Sequence, residues 1–176
     1  MQSTPDPLTV LVVDDEKGIR DGSERIINRM GCHALTAKNG EEGLDRIDNN
    51  DVAIVLLDLK MPGIDGMEVL KRIQEMERDI LVIVITGFAT IETAIEAMKR
   101  GAYDFIPKPF EPDQLRIVVN RAREKIQLKR QAQKLERERR QTLADLGTEQ
   151  SRIRTIIDSL PTGIVVTDAD ARVVLM

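Results

Sequence analysis

The stretch VAIVLLD, residues 52–58, consists of six apolar residues that stop at the carboxylate of Asp58. Three further apolar runs also stop at polar side chains. Residues 8–13 stop at Asp14 and Asp15, residues 80–85 at Thr86, and residues 102–107 at Lys108. Ligands bind outside the carboxyl ends of the strands in an open parallel sheet. If the four runs are strands of such a sheet, we expect these five polar side chains to converge on one rim.

Apolar runs of strand length alternate with segments of helical period, a pattern that indicates βαβ units and a parallel sheet. The predicted strands are 8–13, 33–37, 52–57, 80–85 and 102–106. The predicted helices are 16–30, 40–49, 65–77, 90–100 and one that begins near 111–112. Pro112 suits the first turn of a helix, where its missing N–H is no loss. The prediction is a doubly wound α/β fold of five strands and five helices.

The predicted rim would hold the three carboxylates of Asp14, Asp15 and Asp58 close together. Carboxylates repel one another by about 4 kcal/mol per pair at ~4 Å and an effective dielectric of ~20, so the cluster needs a cation. Oxygen ligands favour Mg²⁺. Once the charge is partly neutralised, one carboxylate can attack phosphorus and form an acyl phosphate. The alternative is that each Asp only forms a turn or cap, as single Asp residues often do.

Four segments in this order resemble the receiver domain of bacterial two-component response regulators. They are VVDDE (12–16), LLDLKMPGIDG (56–66), ITG (85–87) and GAYDFIPKPF (101–110). The resemblance covers about residues 7–125 and implies a flavodoxin-like sheet of order 2-1-3-4-5. It also implies that Asp58 accepts a phosphoryl group from a phosphohistidine donor, either a cognate histidine kinase or a phosphotransfer protein.

The resemblance further implies a set of roles around Asp58. Mg²⁺ would be held by Asp15 directly, by Asp14 through water, by Asp58 and by the backbone carbonyl of Lys60. Thr86 matches the switch hydroxyl and Lys108 the ammonium, and both would contact the phosphoryl oxygens in the catalytic site. The absence of a side chain at Gly87 would leave room for them. Lys108-Pro109 matches the family's cis peptide, an isomer that only X-Pro adopts at low cost.

Phe105 departs from the best-known form of the pattern, because many receivers carry a Tyr at this position whose hydroxyl takes part in the switch. Phe105 has no hydroxyl, so the resemblance implies a switch through apolar repacking of its ring. The alternative is that Phe105 is simply an inward residue of the last strand.

Beyond Arg116, helix-forming residues continue, since residues 113–160 contain no Pro and a single Gly, Gly147. A heptad pattern predicts a dimeric coiled coil in this part, and a single exposed helix is the alternative. The a positions are Ala132, Arg139, Leu146, Ile153 and Leu160, and the d positions are Leu128, Leu135, Thr142, Glu149 and Ile156. The seam is broken at Arg139, Thr142 and Glu149.

The last segment, residues 156–176, resembles the opening of a PAS sensor domain. Pro161 and Gly163 end the helix, and two β-rich runs flank the turn at residues 168–171. The domain prediction is therefore a tail (1–7), a receiver (8–125), a coiled-coil linker (126–160) and the start of a PAS-like domain (161–176). We expect the chain to be a piece of a larger receiver–PAS protein, with a vestigial tail as the alternative.

Charge is unevenly distributed along the chain, whose net charge is −4. Residues 121–140 carry nine Lys or Arg against three Glu. A DNA-binding regulator that uses this basic helix is an alternative function, although three Glu interrupt it and no helix-turn-helix is visible.

An aspartate-nucleophile phosphatase is a second alternative function. It would place two Asp one position apart after the first strand, whereas Asp14 and Asp15 are adjacent.

The remaining predictions concern the cellular location of the protein and its enzymatic activity. A single cysteine, Cys32, excludes an internal disulfide, and the chain has neither an apolar stretch of membrane-spanning length nor a signal-peptide pattern, so we expect a cytoplasmic protein without membrane contact. Nothing indicates turnover of an outside metabolite. The expectation is a phosphoprotein that catalyses only its own phosphorylation and dephosphorylation. A longer protein could carry a histidine kinase or another effector.

Overall fold

The structure is a computed structural model that describes residues 7–87 and 89–159 and two short strands near the C-terminus. Side chains of the long helix are described as far as Asp145 and at Arg154 and Thr155. The chain falls into two compact units, with the boundary between Gln127 and Leu128.

The first unit is built on a five-stranded sheet in which every neighbouring pair of strands is parallel. The strands are β1 (Thr9–Val13), β2 (His33–Ala37), β3 (Val52–Leu57), β4 (Leu81–Thr86) and β5 (Asp104–Pro107). Their order is β2-β1-β3-β4-β5. All six residues of β3 are buried, as expected for a central strand that is covered on both faces. The predicted strand order and doubly wound fold are confirmed.

Helices cover both faces of this sheet. They are α1 (Lys17–Arg29), α2 (Gly40–Asn49), α3 (Gly66–Glu75), α4 (Ile91–Lys99) and α5 (Pro112–Ser159). Because side chains alternate along a strand, Val10 and Val12 pack in one core with α1 and the start of α5, whereas Leu11 and Val13 pack in a second core with α2, α3 and α4. The two cores fix the five strands side by side, so the carboxyl ends of the strands lie along one rim.

The segment after β3 is held close to the start of α3. Asp65 caps α3, since its carboxylate accepts a 2.8 Å hydrogen bond from the N–H of Met67. Gly66 follows, and a Cβ there would collide with the carbonyl oxygen of Asp58. Only glycine therefore allows α3 to begin this close to the end of β3, and that approach fixes the backbone of Asp58.

The second unit contains the rest of α5 and two strands. Those strands, β6 (Val166–Thr167) and β7 (Val173–Leu175), form an antiparallel pair, in agreement with the two predicted β-rich runs. The long C-terminal helix is confirmed, while its pairing as a coiled coil stays a prediction. Some predictions lie outside the described residues: those for residues 1–6, for most of the PAS-like segment, and for the seam side chains of Leu146, Glu149, Ile153, Ile156 and Leu160. Within the described part of the chain, no helix is both long and apolar enough to cross a bilayer.

Candidate functional site

Four of the five predicted polar residues lie at or just after the carboxyl ends of their strands, and the backbone explains why they converge. The N–H of Asp14 donates to Ala37 O at 3.1 Å, and the N–H of Asp58 donates to Val13 O at 2.9 Å. The N–H of Lys108 donates to Thr86 O, also at 2.9 Å. Each bond continues the parallel ladder one step past its strand, so that these residues stay in register with one another.

The ammonium of Lys108 lies at the centre of the site. Its Nζ is 2.8 Å from Asp14 Oδ2 and 2.8 Å from Asp58 Oδ2. The two carboxylates are buried, with side chains 3% and 5% exposed. Their other oxygens accept backbone bonds, Asp14 Oδ1 from the N–H of Glu16 at 2.9 Å and Asp58 Oδ1 from the N–H of Lys60 at 3.1 Å. Every oxygen of this buried pair therefore has a donor.

The third carboxylate at Lys108 is Glu16, at 2.9 Å from Nζ, and not Asp15. Among the described residues, the acidic side chains whose oxygens lie within 4.8 Å of one another are Asp14, Glu16 and Asp58. Asp15 is exposed. Its carbonyl and that of Asp14 both accept from Nη1 of Arg20, at 2.8 and 2.7 Å, which holds the loop after β1 in place. The sequence prediction missed Glu16, although its position directly after the acidic pair was a usable signal.

The electrostatics of the site follow from this crowding. Burial raises the pKa of Asp14 above its usual value, and hydrogen bonds from Lys108 and from the N–H of Glu16 offset that effect only in part. Burial alone would lower the pKa of Lys108, but its hydrogen bonds to Asp14, Asp58 and Glu16 outweigh burial and raise that pKa. Lys108 is thus fully charged at neutral pH.

The donor set fits a hard divalent cation. Three carboxylates against one ammonium leave a formal charge of −2, and each carboxylate offers an oxygen to the same small space. Mg²⁺ prefers such ligands. An acidic pocket of this kind is typical of the metal site that the sequence predicts, and the Glu16 carboxylate adds a further negative charge beside it.

The two predicted switch residues lie near Lys108 in the sheet. Thr86 is the last residue of β4, is fully buried, and is in register with Pro107. Phe105 is half-buried, is in register with Val84, and packs against the core on the α2–α4 side. The Lys108-Pro109 peptide is cis, as predicted. Thr86 and Phe105 therefore lie on adjacent strands, two register positions apart.

Comparison with known proteins decides the family. Residues 10–120 match the model of the response regulator receiver domain. The chain belongs to this family. It is 36% identical over 112 residues to the sporulation initiation phosphotransferase F of Bacillus subtilis, covering 64% of this chain and 90% of that protein. The fold, the acidic pocket and the family model thus agree on a signalling receiver of the two-component type.

Longer relatives and solved structures also match the receiver-domain part of this chain. The nitrogen assimilation regulatory protein NtrX of Azorhizobium caulinodans is 38% identical over 128 residues, which are 72% of this chain. This chain spans only 28% of that relative's length. The crystal structure of the receiver domain of NtrX from Brucella abortus superposes with a TM-score of 0.62 at 40% identity, covering 65% of this chain and 98% of that chain.

Proposed function

We propose that this protein is a phosphorylation-dependent switch in which Asp58 is the phosphoacceptor and a histidine kinase or phosphotransfer protein is the donor. The observation that carries the proposal is the surroundings of Asp58. Its carboxylate is buried at the end of β3, within 2.8 Å of the Lys108 ammonium and beside two further carboxylates. Asp14 is buried to a similar degree and has matching contacts, with Lys108 on one oxygen and a backbone N–H on the other. The choice of Asp58 over Asp14 therefore rests on its match to the phosphoacceptor position of the family.

Phosphoryl transfer would proceed by attack of one carboxylate oxygen of Asp58 on the phosphorus. A P–O bond forms, the P–N bond to the donor imidazole breaks, and its electron pair returns to the ring nitrogen. Lys108 would then pair with the new phosphoryl oxygens, and Thr86 would donate its hydroxyl to another. Mg²⁺, held by Asp14, Asp15, Asp58 and the carbonyl of Lys60, would supply the positive charge that lets two anions meet.

The experiment is acid-labile labelling with a small phosphodonor. The 176-residue chain, incubated with acetyl phosphate and Mg²⁺, should gain one phosphoryl group, detected by intact-protein mass spectrometry at neutral pH. Asp58→Asn removes the nucleophile and should abolish the adduct, because an amide cannot form the acyl phosphate. Asp65→Asn, a change at an exposed carboxylate that caps α3, is the matched control and should keep it. Labelling of Asp58→Asn at the wild-type level would place the acceptor elsewhere.

The phosphoryl group would be read on the face of α4, β5 and α5. Three apolar side chains on one stripe of α4 are exposed, namely Ile91 at 77%, Ile95 at 49% and Met98 at 47%. On α5, Ile117 is 58% exposed. Movement of Thr86 towards the phosphoryl oxygens would open space beside β5 that the Phe105 ring can fill. Such repacking would change the α4 surface, which shares a core with Phe105. It would reach the start of α5 through β5, because Leu115 and Val119 pack in the other core.

The energy available to the switch is close to the energy that it needs. Charge-assisted hydrogen bonds are worth about 1.5–3 kcal/mol each, so Thr86 and Lys108 together supply at most roughly 3–6 kcal/mol, and Lys108 supplies less than its full share because it already bonds three carboxylates. Moving a two-state equilibrium from 1:99 to 99:1 takes about 5.5 kcal/mol. Loss of either contact should therefore leave a partial switch.

The output would pass through a dimeric helix to a sensor or output module. Leu128 and Leu135, two d positions of the predicted seam, are 66% and 68% exposed within a single chain. Large apolar side chains repeated at seven-residue spacing on an exposed helix favour pairing with a second helix. The PAS-like strands that follow would receive any change in that pairing.

A further inference from the structure

The Lys108 ammonium has no donor to spare. An ammonium carries three N–H bonds and no acceptor, and three carboxylate oxygens lie at 2.8, 2.8 and 2.9 Å from Nζ. They belong to Asp14, Asp58 and Glu16. Before transfer, while Asp58 is still a carboxylate, an incoming phosphoryl oxygen can therefore bind Lys108 only if one of these three contacts is given up.

The three partners differ in how easily they can leave. Asp14 and Asp58 are buried at strand ends, and each is also held by a backbone N–H. The Glu16 side chain is 61% exposed, so water replaces its lost contact at once. Exposed ion pairs change equilibria by only about two- to fivefold. Glu16 is thus the partner that Lys108 can release at least cost.

The Glu16 side chain contacts Lys108 and not the N–H groups of its own helix. Glu16 is the N-cap residue of α1, yet its side chain makes no capping hydrogen bond. It reaches instead to a residue 92 positions away in sequence. The side chains that usually cap a helix N-terminus are Ser, Thr, Asp and Asn, and the longer Glu16 side chain contacts the Lys108 ammonium instead.

We propose that Glu16 is a positioning residue for Lys108, which holds the ammonium in the unphosphorylated site and yields it to the phosphoryl oxygens. The inference rests on the proposed role of Asp58. It has a definite consequence for Glu16→Gln. A neutral amide at the same position holds the ammonium less strongly and no longer repels an incoming anion, so the variant should bind a phosphoryl-like group more tightly than the wild type.

Beryllofluoride, which takes the place of the phosphoryl group on a carboxylate, tests this at equilibrium. With the full chain at saturating Mg²⁺, Glu16→Gln should bind beryllofluoride about two- to fivefold more tightly than the wild type, the range expected for an exposed ion pair. Asp21→Asn removes the same charge from an exposed position on α1 and should bind as the wild type does. In the metal-free protein, the Lys108 CεH₂ resonance should move in Glu16→Gln and stay in place in Asp21→Asn.

Each failure has its own signature. If the wild type binds no beryllofluoride, the proposed function of Asp58 fails. If the wild type binds but Glu16→Gln has the same affinity, or Asp21→Asn shows the same gain, the role of Glu16 is overturned.

Mg²⁺ affinity measured by calorimetry distinguishes a residue that positions Lys108 from a residue that binds the metal. Asp15→Ala should lose Mg²⁺ affinity tenfold or more, as even indirect partners of a metal can cost. An equal loss in Glu16→Gln would make Glu16 a metal ligand and contradict the inference.

Discussion

The two regions of the chain differ in where their apolar side chains lie: they are mostly buried in residues 7–127 and exposed in residues 128–145. In the first unit, Leu70 of α3 is completely buried by the same chain, and so are most strand residues. In the described side chains from Leu128 to Asp145, every residue is exposed, including Leu135 at 68% and Leu143 at 58%. The first sequence completes its own core. The second has an exposed apolar stripe, which a second helix would cover in the proposed dimer. The same substitution should therefore have different effects in the two regions.

The largest contrast is expected for Leu→Ala in the two regions. Leu70→Ala leaves a cavity in the core and should lower the free energy of unfolding by about 2–5 kcal/mol, independently of protein concentration. Leu135→Ala should leave the unfolding of the first unit unchanged, but it should raise the dimer dissociation constant at least tenfold, which is about 1.4 kcal/mol. Urea unfolding and sedimentation equilibrium measure the two effects.

A further truncation controls this comparison. A chain ending at Gln127 keeps the buried Ile126 and the whole first core, and it should sediment as a monomer without a phosphoryl group. If the 176-residue chain were itself monomeric at micromolar concentration, with and without phosphorylation, the single exposed helix would be the correct alternative.

The same comparison explains what could be predicted from the sequence. Strands and short helices are set by local periodicity, and the register of parallel strands then places Asp14, Asp58, Thr86 and Lys108 on one rim, so these positions followed from the runs that precede them. Loop side chains have no period. Which of Asp15 and Glu16 turns towards Lys108 depends on the loop backbone that Arg20 holds, and sequence patterns carry little of that information.

The helix offers a second case, in which a signal was present and was missed. The heptad assignment puts Thr142 on the seam, but the large exposed apolar residue is its neighbour Leu143. A step of four residues from Arg139, in place of three, brings Leu143 onto the stripe. Such a stutter locally unwinds a coiled coil and does not end it.

Thr86→Ala should separate phosphorylation of Asp58 from its effect on the long helix. Asp58 should still be phosphorylated, because its nucleophilic oxygen is untouched. The switch should lose one charge-assisted hydrogen bond, worth about 1.5–3 kcal/mol. Distances between spin labels on paired helices near Leu143 should therefore change less on phosphorylation than in the wild type. A phosphorylation response of full size in Thr86→Ala would exclude this hydroxyl as the link between site and helix.

Two glycines beside the site give a smaller, matched contrast. A Cβ at Gly66 would collide with the carbonyl of Asp58, whereas a Cβ at Gly87 would meet nothing within 4 Å. Gly66→Ala should cost about 1–3 kcal/mol of stability through overpacking, and it should slow phosphorylation by displacing Asp58. Gly87→Ala should change the unfolding free energy little. Equal losses in both variants, measured by urea unfolding, would show that backbone freedom and not close packing governs this rim.

The smallest effect is expected at Glu77 in the first unit, a residue other than glycine with a positive φ. Glu77 follows the C-cap of α3 with φ of 51°, in the left-handed region, and its side chain is exposed. Glycine is the residue that usually ends a helix in this conformation. An L side chain there costs about 1–2 kcal/mol, and part of the gain from Glu77→Gly is lost because glycine makes the unfolded chain more flexible. We therefore expect stabilisation by about 0.5–1 kcal/mol in urea unfolding, with phosphorylation of Asp58 unaffected. Glu77→Ala keeps the Cβ and is the matched control, so a similar gain in that variant would trace the effect to charge and not to the backbone.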